Sequence, residues 1–267
     1  MHLFAMISLF RENQKQRSAR LGTWLCLPGA IGSSLDWEML IPWLPQEYQY
    51  ITLDWRNIEA QWSTVHAHLE RALAGAPRPW FLLAYSQGAR IALHTLCHHP
   101  TPFSGAILFG ANPGFEKNEE RVKRAEADRR WAEKTRSDPW DQFLKTWELQ
   151  SVFISGNPPE MWPDGLGPVW QATRRAMAND RESVARQFEQ WSLASQPNLW
   201  PLLPTVDKPI CWVAGAEDTK FAAIARRAAS LHPHSTLATL PHTGHRIPWE
   251  SPHSLAPLIR GFAQKRK

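Results

Sequence analysis

Short apolar runs alternate with longer stretches of helical spacing along most of this chain. Six runs are predominantly apolar: "TWLCLPG" (23–29), "YQYITLDW" (48–55), "WFLLAYS" (80–86), "SGAILFGA" (104–111), "PICWVAGAED" (209–218) and "STLATLP" (235–241). Continuous rather than alternating apolarity is the signature of strands buried on both faces, hence of a parallel sheet. Between them lie segments of helical period: "SSLDWEMLIPWL" (33–44), "IEAQWSTVHAHLERALAGA" (58–76), "GARIALHTLCHH" (88–99), "KFAAIARRAASLH" (220–232) and "SPHSLAPLIRGFAQK" (251–265). Strand and helix in strict alternation predict an α/β fold, a mostly parallel sheet covered by helices on both sides.

The rhythm breaks between 112 and 203. That segment is charged, helical in pattern and rich in tryptophan, and only "SVFIS" reads as a short strand. An insertion of this length is usually functional. The chain therefore divides into an N-terminal extension (1–22), a core (23–111 and 204–267) and a helical lid (112–203).

Composition narrows the class. With 267 residues, 43% hydrophobic and 21% charged, the chain is long enough to bury a sizeable core and reads as soluble and globular. The net charge of +5 suits an anionic small molecule, because no dense Lys/Arg run outside the tail "QKRK" would make a nucleic-acid groove. "MHLFAMISLF" is too short to span a bilayer, and the charge that follows it is in the wrong order for a signal peptide. Three unpaired cysteines (Cys26, Cys97, Cys211) give no disulfide framework and no metal motif, which fits a reducing compartment, the cytoplasm. No membrane insertion, metal or cofactor is expected; the oligomeric state is not encoded legibly.

Three residues carry candidate chemistry. Ser86 sits where an apolar strand meets a helix, in Ala84-Tyr85-Ser86-Gln87-Gly88, close to the Gly-x-Ser-x-Gly nucleophile elbow. Taken alone it is as well explained as a helix cap. Asp218 follows the fifth strand, with Glu217 as local competitor; Asp218 directly precedes the next helix. His245 follows the last strand in "LPHTGHRIPWE", with His242 as competitor. The order Ser…Asp…His, each at a strand's C-terminal end, is that of the α/β-hydrolase fold. A serine hydroxyl is inert until an imidazole takes its proton, and the imidazole needs a carboxylate to fix its tautomer. His242-x-x-His245 lacks the further ligands of a metal site. An oxyanion hole needs two backbone N–H groups. Gln87 supplies one, and Ala30 in "LPGAIG" the other, although Pro28 stands where many hydrolases have His. Such a triad also serves carboxylesterases and thioesterases through an acyl-enzyme, or survives in a binding module.

Beyond the triad, "AYSQGAR", "GANPGFEKNEERVKRAEADRRWAEK", "DPWDQFLKTWELQSVF", "SLASQPNLWPLL" and "GAEDTKF" together resemble the 2-succinyl-6-hydroxy-2,4-cyclohexadiene-1-carboxylate synthases, a branch of the α/β hydrolases, over residues 23–264. The resemblance implies a cofactor-free lyase of menaquinone or phylloquinone biosynthesis that eliminates pyruvate. In it, Ser86, primed by His245 and Asp218, acts as a base. It also implies substrate contacts from Tyr85, Arg90, Arg124, Trp147 and a third lid arginine, Arg174 or Arg175, with spacing in favour of Arg175. Several arginines suit a substrate bearing several carboxylates, because the guanidinium fork matches a carboxylate. The chain departs from the pattern at Ala84, at Pro28 and in "LDWRNIEAQW", which lacks the D-x-P-G-x-G loop.

Overall fold

The computed structural model describes residues 20–264 apart from 55, 57, 59, 99 and 100. Most of the N-terminal extension, residues 1–19, lies outside the described residues. Six strands form one sheet: β1 (Thr23–Leu27), β2 (Gln49–Thr52), β3 (Trp80–Tyr85), β4 (Phe103–Phe109), β5 (Ile210–Gly215) and β6 (Ser235–Leu240). Their order is β2-β1-β3-β4-β5-β6, and every pairing is parallel. The strands β1, β3 and β5 are buried at every position, because helices cover both faces. The edge strand β6 is half exposed, which explains its weaker apolar pattern.

The helices of the core are α1 (Ser34–Glu38), α2 (Val65–Ala72) and α3 (Gln87–His98). Between β4 and β5 come α4 (Asn118–Ser137), α5 (Trp140–Glu148), α6 (Ser151–Ile154), α7 (Leu166–Ala176) and α8 (Arg181–Gln190). After β5 follow α9 (Thr219–Leu231), α10 (Ile247–Glu250) and α11 (Leu255–Gln264). Three expectations need correction. The 33–44 segment is helical only over α1 and then a 3₁₀ turn at Ile41–Trp43, where Pro42 removes a helix donor. The 58–76 helix is confined to α2. "SVFIS" is no strand: Ser151–Ile154 is the short helix α6, whose apolar side chains face cavities instead of a sheet neighbour.

Two apolar clusters flank the sheet, one around Leu25, Leu82 and Trp212, the other around Trp24, Phe109 and Trp249. A third cluster belongs to the inserted helices: Trp140, Phe143, Trp147, Val184 and Phe188 pack together, with Ile31 of the β1–α1 loop among them. A buried ion pair joins the inserted helices to the core. Arg174 of α7 donates to both carboxylate oxygens of Asp36 in α1, at 2.7 and 2.8 Å. No helix among the described residues is long and apolar enough to cross a membrane.

Candidate active site

β3 ends in a turn so tight that Ser86 takes φ 51°, a left-handed conformation that non-glycine residues rarely adopt. The turn is held by Ser86 N–H donating to Phe109 O at 2.8 Å, and α3 starts at the next residue. The Ser86 hydroxyl is thereby lifted above the C-terminal edge of the sheet. His245 Nε2 lies 3.2 Å from Ser86 Oγ, and His245 Nδ1 lies 2.6 Å from Asp218 Oδ2. Asp218 divides its carboxylate between two tasks. Oδ2 faces the imidazole, and Oδ1 caps α9 by accepting from Phe221 N–H at 3.2 Å. The cap fixes the carboxylate rotamer, and so the imidazole's orientation. The competitors Glu217 and His242 are exposed.

The imidazole is caged by the rings of Phe221, Tyr85 and Phe153, at centroid distances of 4.4, 5.5 and 6.0 Å. Gly110 closes the cage from behind. It has φ +61°, and a Cβ there would stand 2.7 Å from His245 Cε1. Glu250, which the sequence reading missed, holds the histidine loop by accepting from the N–H groups of Gly244, Arg246 and Asn157 at 2.8, 2.9 and 3.0 Å.

A cavity of about 230 Å³ opens on Ser86 and His245. Ala30, Tyr85, Gln87, Arg90, Arg124 and Trp147 all line it. The N–H groups of Ala30 and Gln87 make no hydrogen bond within the described residues, so both remain available to an oxyanion. Gly29 lets the Ala30 loop approach: a Cβ there would overlap the Tyr85 ring at 2.7 Å. Burial pushes the Tyr85 hydroxyl above its ordinary pKa, so it stays protonated.

Arg90 is the most unusual group in the cavity. It is 6% exposed and, among the described residues, bonds only neutral oxygens, Gln196 Oε1 at 3.0 Å and Trp191 O at 2.6 Å. Burial, and after it the charge of Arg124, hold its guanidinium below the usual value, with the charge of Asp128 opposing them. Arg124, more exposed, donates to Asp128 Oδ2 at 2.8 Å, an acid that also accepts from Ser192 at 2.7 Å. Lys220, from the first turn of α9, adds a third cation. Asp128 and Lys220 were not singled out from the sequence; "RAEAD" places the acid four residues after Arg124, which was the available signal.

The third lid arginine is not brought to this cavity. Arg175 is exposed, and both it and Arg174 line a neighbouring cavity of about 640 Å³, together with Arg246. Helix phase decides this: Trp170, Thr173, Arg174 and Met177 form the buried stripe of α7 and its continuation, which turns Arg175 outward. Arg246, next to the candidate catalytic histidine, is 4% exposed, pairs with Glu148 at 2.5 Å and stacks on Phe153 at 4.1 Å. Phe153 lines both cavities. A depression of about 670 Å³ lies at the opposite, N-terminal ends of the strands, near Trp80 and Lys208, away from this chemistry. Among the described residues no group of three His, Cys, Asp or Glu side chains meets in a metal-ligating arrangement.

A hydroxyl, an imidazole, a carboxylate and two free N–H donors can form an alkoxide and stabilise an adjacent oxyanion. This suits acyl transfer and carbon-acid deprotonation equally, and comparison with known proteins narrows the class. The model of the "Alpha/beta hydrolase family" matches residues 24–258. A 2-succinyl-6-hydroxy-2,4-cyclohexadiene-1-carboxylate synthase of Pectobacterium atrosepticum is 30% identical over 255 residues, 91% of this chain and 95% of that protein. The synthase of the same name from Enterobacter sp. (strain 638) is 31% identical over 265 residues, covering 95% of this chain and 97% of its own. Among solved structures, MenH from S. aureus superposes with a TM-score of 0.81 at 23% identity, covering 94% of this chain and 96% of that one, a likeness of fold. A thermophilic esterase from Thermogutta terrifontis has the same fold with a TM-score of 0.72 at 20% identity, covering 93% of this chain and 91% of its own. The chain belongs to the α/β hydrolase family and, within it, to the 2-succinyl-6-hydroxy-2,4-cyclohexadiene-1-carboxylate synthases.

Proposed function

We propose that this protein is a cofactor-free carbon–oxygen lyase of menaquinone or phylloquinone biosynthesis. It eliminates pyruvate from 2-succinyl-5-enolpyruvyl-6-hydroxy-3-cyclohexene-1-carboxylate to give 2-succinyl-6-hydroxy-2,4-cyclohexadiene-1-carboxylate. The observation that carries the reading is Arg90, a buried guanidinium that lines the cavity beside Ser86 and whose hydrogen bonds among the described residues go to neutral oxygens, while Asp128, the acid whose charge reaches it, is itself bonded to Arg124. A buried charge without a hydrogen-bonded counter-ion is costly unless a ligand supplies one. A polycarboxylate substrate supplies it; a simple ester does not. Arg124, Lys220 and Trp147 complete a cationic, partly planar subsite for an anionic substrate, and residues 112–203 act as the lid over it.

In this reading His245, oriented by Asp218, accepts the Ser86 proton. The alkoxide removes a proton from the carbon beside the succinyl ketone. Charge moves to the ketone oxygen, where the N–H groups of Ala30 and Gln87 receive it. The electron pair then returns across the ring, the C–O bond to the enolpyruvyl group breaks, and the enolate that leaves takes up the proton held on His245 to become pyruvate, restoring the neutral imidazole beside Ser86. No acyl-enzyme forms. The test is pyruvate release coupled to lactate dehydrogenase. Turnover of the enolpyruvyl substrate is expected, abolished by Ser86→Ala. Absence of turnover alongside brisk hydrolysis of p-nitrophenyl acetate would refute the lyase and leave an esterase.

A further inference from the structure

The loop that carries one of the two oxyanion donors is not held by the sheet it grows from. Between β1 and α1, Ile31 has φ 54°. A β-branched residue in the left-handed region is an outlier, and such conformations persist only where the surroundings impose them. Within the loop, Gly32 N–H donates to Gly29 O at 3.1 Å. Two further anchors both come from the lid. The Ile31 side chain, fully buried, packs in the lid's own apolar cluster against residues such as Phe143, Val184 and Phe188. The Ile31 N–H donates to Gln187 Oε1 on α8 at 3.2 Å.

Gln187 reaches the other donor as well. Its backbone carbonyl accepts from Gln87 Nε2 at 3.3 Å, and Gln87 is the residue whose own N–H forms the second half of the oxyanion hole. Gln187 is 1% exposed and does not line the catalytic cavity. One lid residue thus spans both elements that supply oxyanion donors, while touching neither Ser86 nor the space for substrate. By occupying the Ile31 N–H it also leaves Ala30 as the free donor of that loop.

We infer that Gln187 and Ile31 are positioning residues through which the seated lid sets the geometry of the oxyanion hole. Lid and oxyanion hole form one unit: a lid that lifts α8 from the core releases the Ala30 loop from its left-handed turn. The inference deepens the lyase reading for the natural reaction, but the hole itself can be interrogated without that substrate.

The experiment uses Gln187→Met, which keeps length and removes the acceptor. Ile31→Gly is the second variant, because glycine adopts the left-handed turn freely but loses the lid anchor. Both are measured on the full chain after a matching circular-dichroism spectrum. The first readout is kcat against KM for pyruvate release. Gln187→Met and Ile31→Gly are expected to lower kcat about 10- to 100-fold, less than the 10²–10³ that follows outright loss of an oxyanion donor. KM should stay within about 3-fold, since Arg90 and Arg124 are untouched. The second readout is inhibition by p-tolylboronic acid. Ser86 Oγ bonds to boron, the serine proton passes to His245, and the tetrahedral anion places an oxygen in the hole. Its affinity should fall at least 10-fold in Gln187→Met and Ile31→Gly, whichever reaction the enzyme catalyses. Unchanged kcat and unchanged boronate affinity in folded Gln187→Met would overturn the inference, as would a rise in KM with kcat preserved.

Discussion

Replacing Arg174 by Met removes half of the ion pair between lid and core. Arg174 is 6% exposed at its side chain and Asp36 is 0% exposed, so the carboxylate left behind has no access to water. Burial already pushes the Asp36 carboxyl above the usual carboxylate range, with Arg174 opposing that shift. Breaking a buried pair by deleting one partner costs about 3–5 kcal/mol, out of a total stability of about 5–15 kcal/mol. For a chain of this size each kcal/mol moves Tm by about 2–4 °C, so Arg174→Met should melt about 6–20 °C lower. Neutralising the stranded acid in Asp36→Asn/Arg174→Met should restore most of that loss. Calorimetric melts of wild type, both single variants and the double variant at one pH close the cycle. Assayed well below the melt, Arg174→Met should keep KM for the enolpyruvyl substrate within about 3-fold, because its guanidinium is committed to Asp36 outside the catalytic cavity. A Tm change below about 3 °C, or a tenfold rise in KM, would refute the structural role assigned to this arginine.

Four further outcomes are expected. Asp218→Asn retains the α9 cap but withdraws the charge behind His245, so kcat should fall about 10⁴-fold with little change in Tm; a loss under about tenfold in pre-steady-state chemistry would contradict the triad. Arg90→Met should raise KM for the anionic substrate about 10- to 100-fold, as loss of charge-assisted bonds predicts, while p-nitrophenyl acetate turnover, where measurable, stays near wild type; equal loss on both substrates argues against an anion subsite. Gly110→Ala drives a methyl toward the His245 ring and should lower kcat about 100-fold, the scale of a 1 Å misplacement, and a crystal structure should show the ring displaced. The cysteines should resist thiol reagents. Burial pushes the half-buried Cys97 up to about 12 and raises Cys26 as well. A thiol is neutral below its pKa, so at pH 8 the Cys97 thiolate is on the order of 10⁻⁴ of the total. Ellman's reagent should therefore find less than one reactive thiol in the native chain at pH 8 and three in guanidinium; rapid native labelling would show the sheet helices to be loosely packed.

The sheet was legible because β1, β3, β4 and β5 are apolar at almost every position, a pattern that only double-sided burial requires. The placements of Ser86, Asp218 and His245 were readable for the same reason, since each follows a strand whose end the pattern marks. Local pattern failed where cavities replaced partners. "SVFIS" carries β-branched and aromatic residues for the wall of two cavities, and no periodicity separates that from a short strand. The choice between Arg174 and Arg175 depended on helix phase, which the stripe Trp170, Thr173, Met177 in principle encodes. That the inward arginine then meets Asp36 rather than substrate is a contact across 138 residues, invisible to spacing. Gln187 is hidden for the same reason: its partners Ile31 and Gln87 lie 156 and 100 residues away.

Phe153 lines both a cavity of about 230 Å³ and one of about 640 Å³. Pockets for small molecules usually run to about 300–1,000 Å³, so the smaller chamber alone is tight and the two together are roomy. The residue common to the two walls is thus a single aromatic side chain on a four-residue helix. Truncating it would remove the ring that packs on both the His245 imidazole and the Arg246 guanidinium. For a fold shared with esterases, a change in substrate range here requires only the loss of a ring, without any new binding group being built.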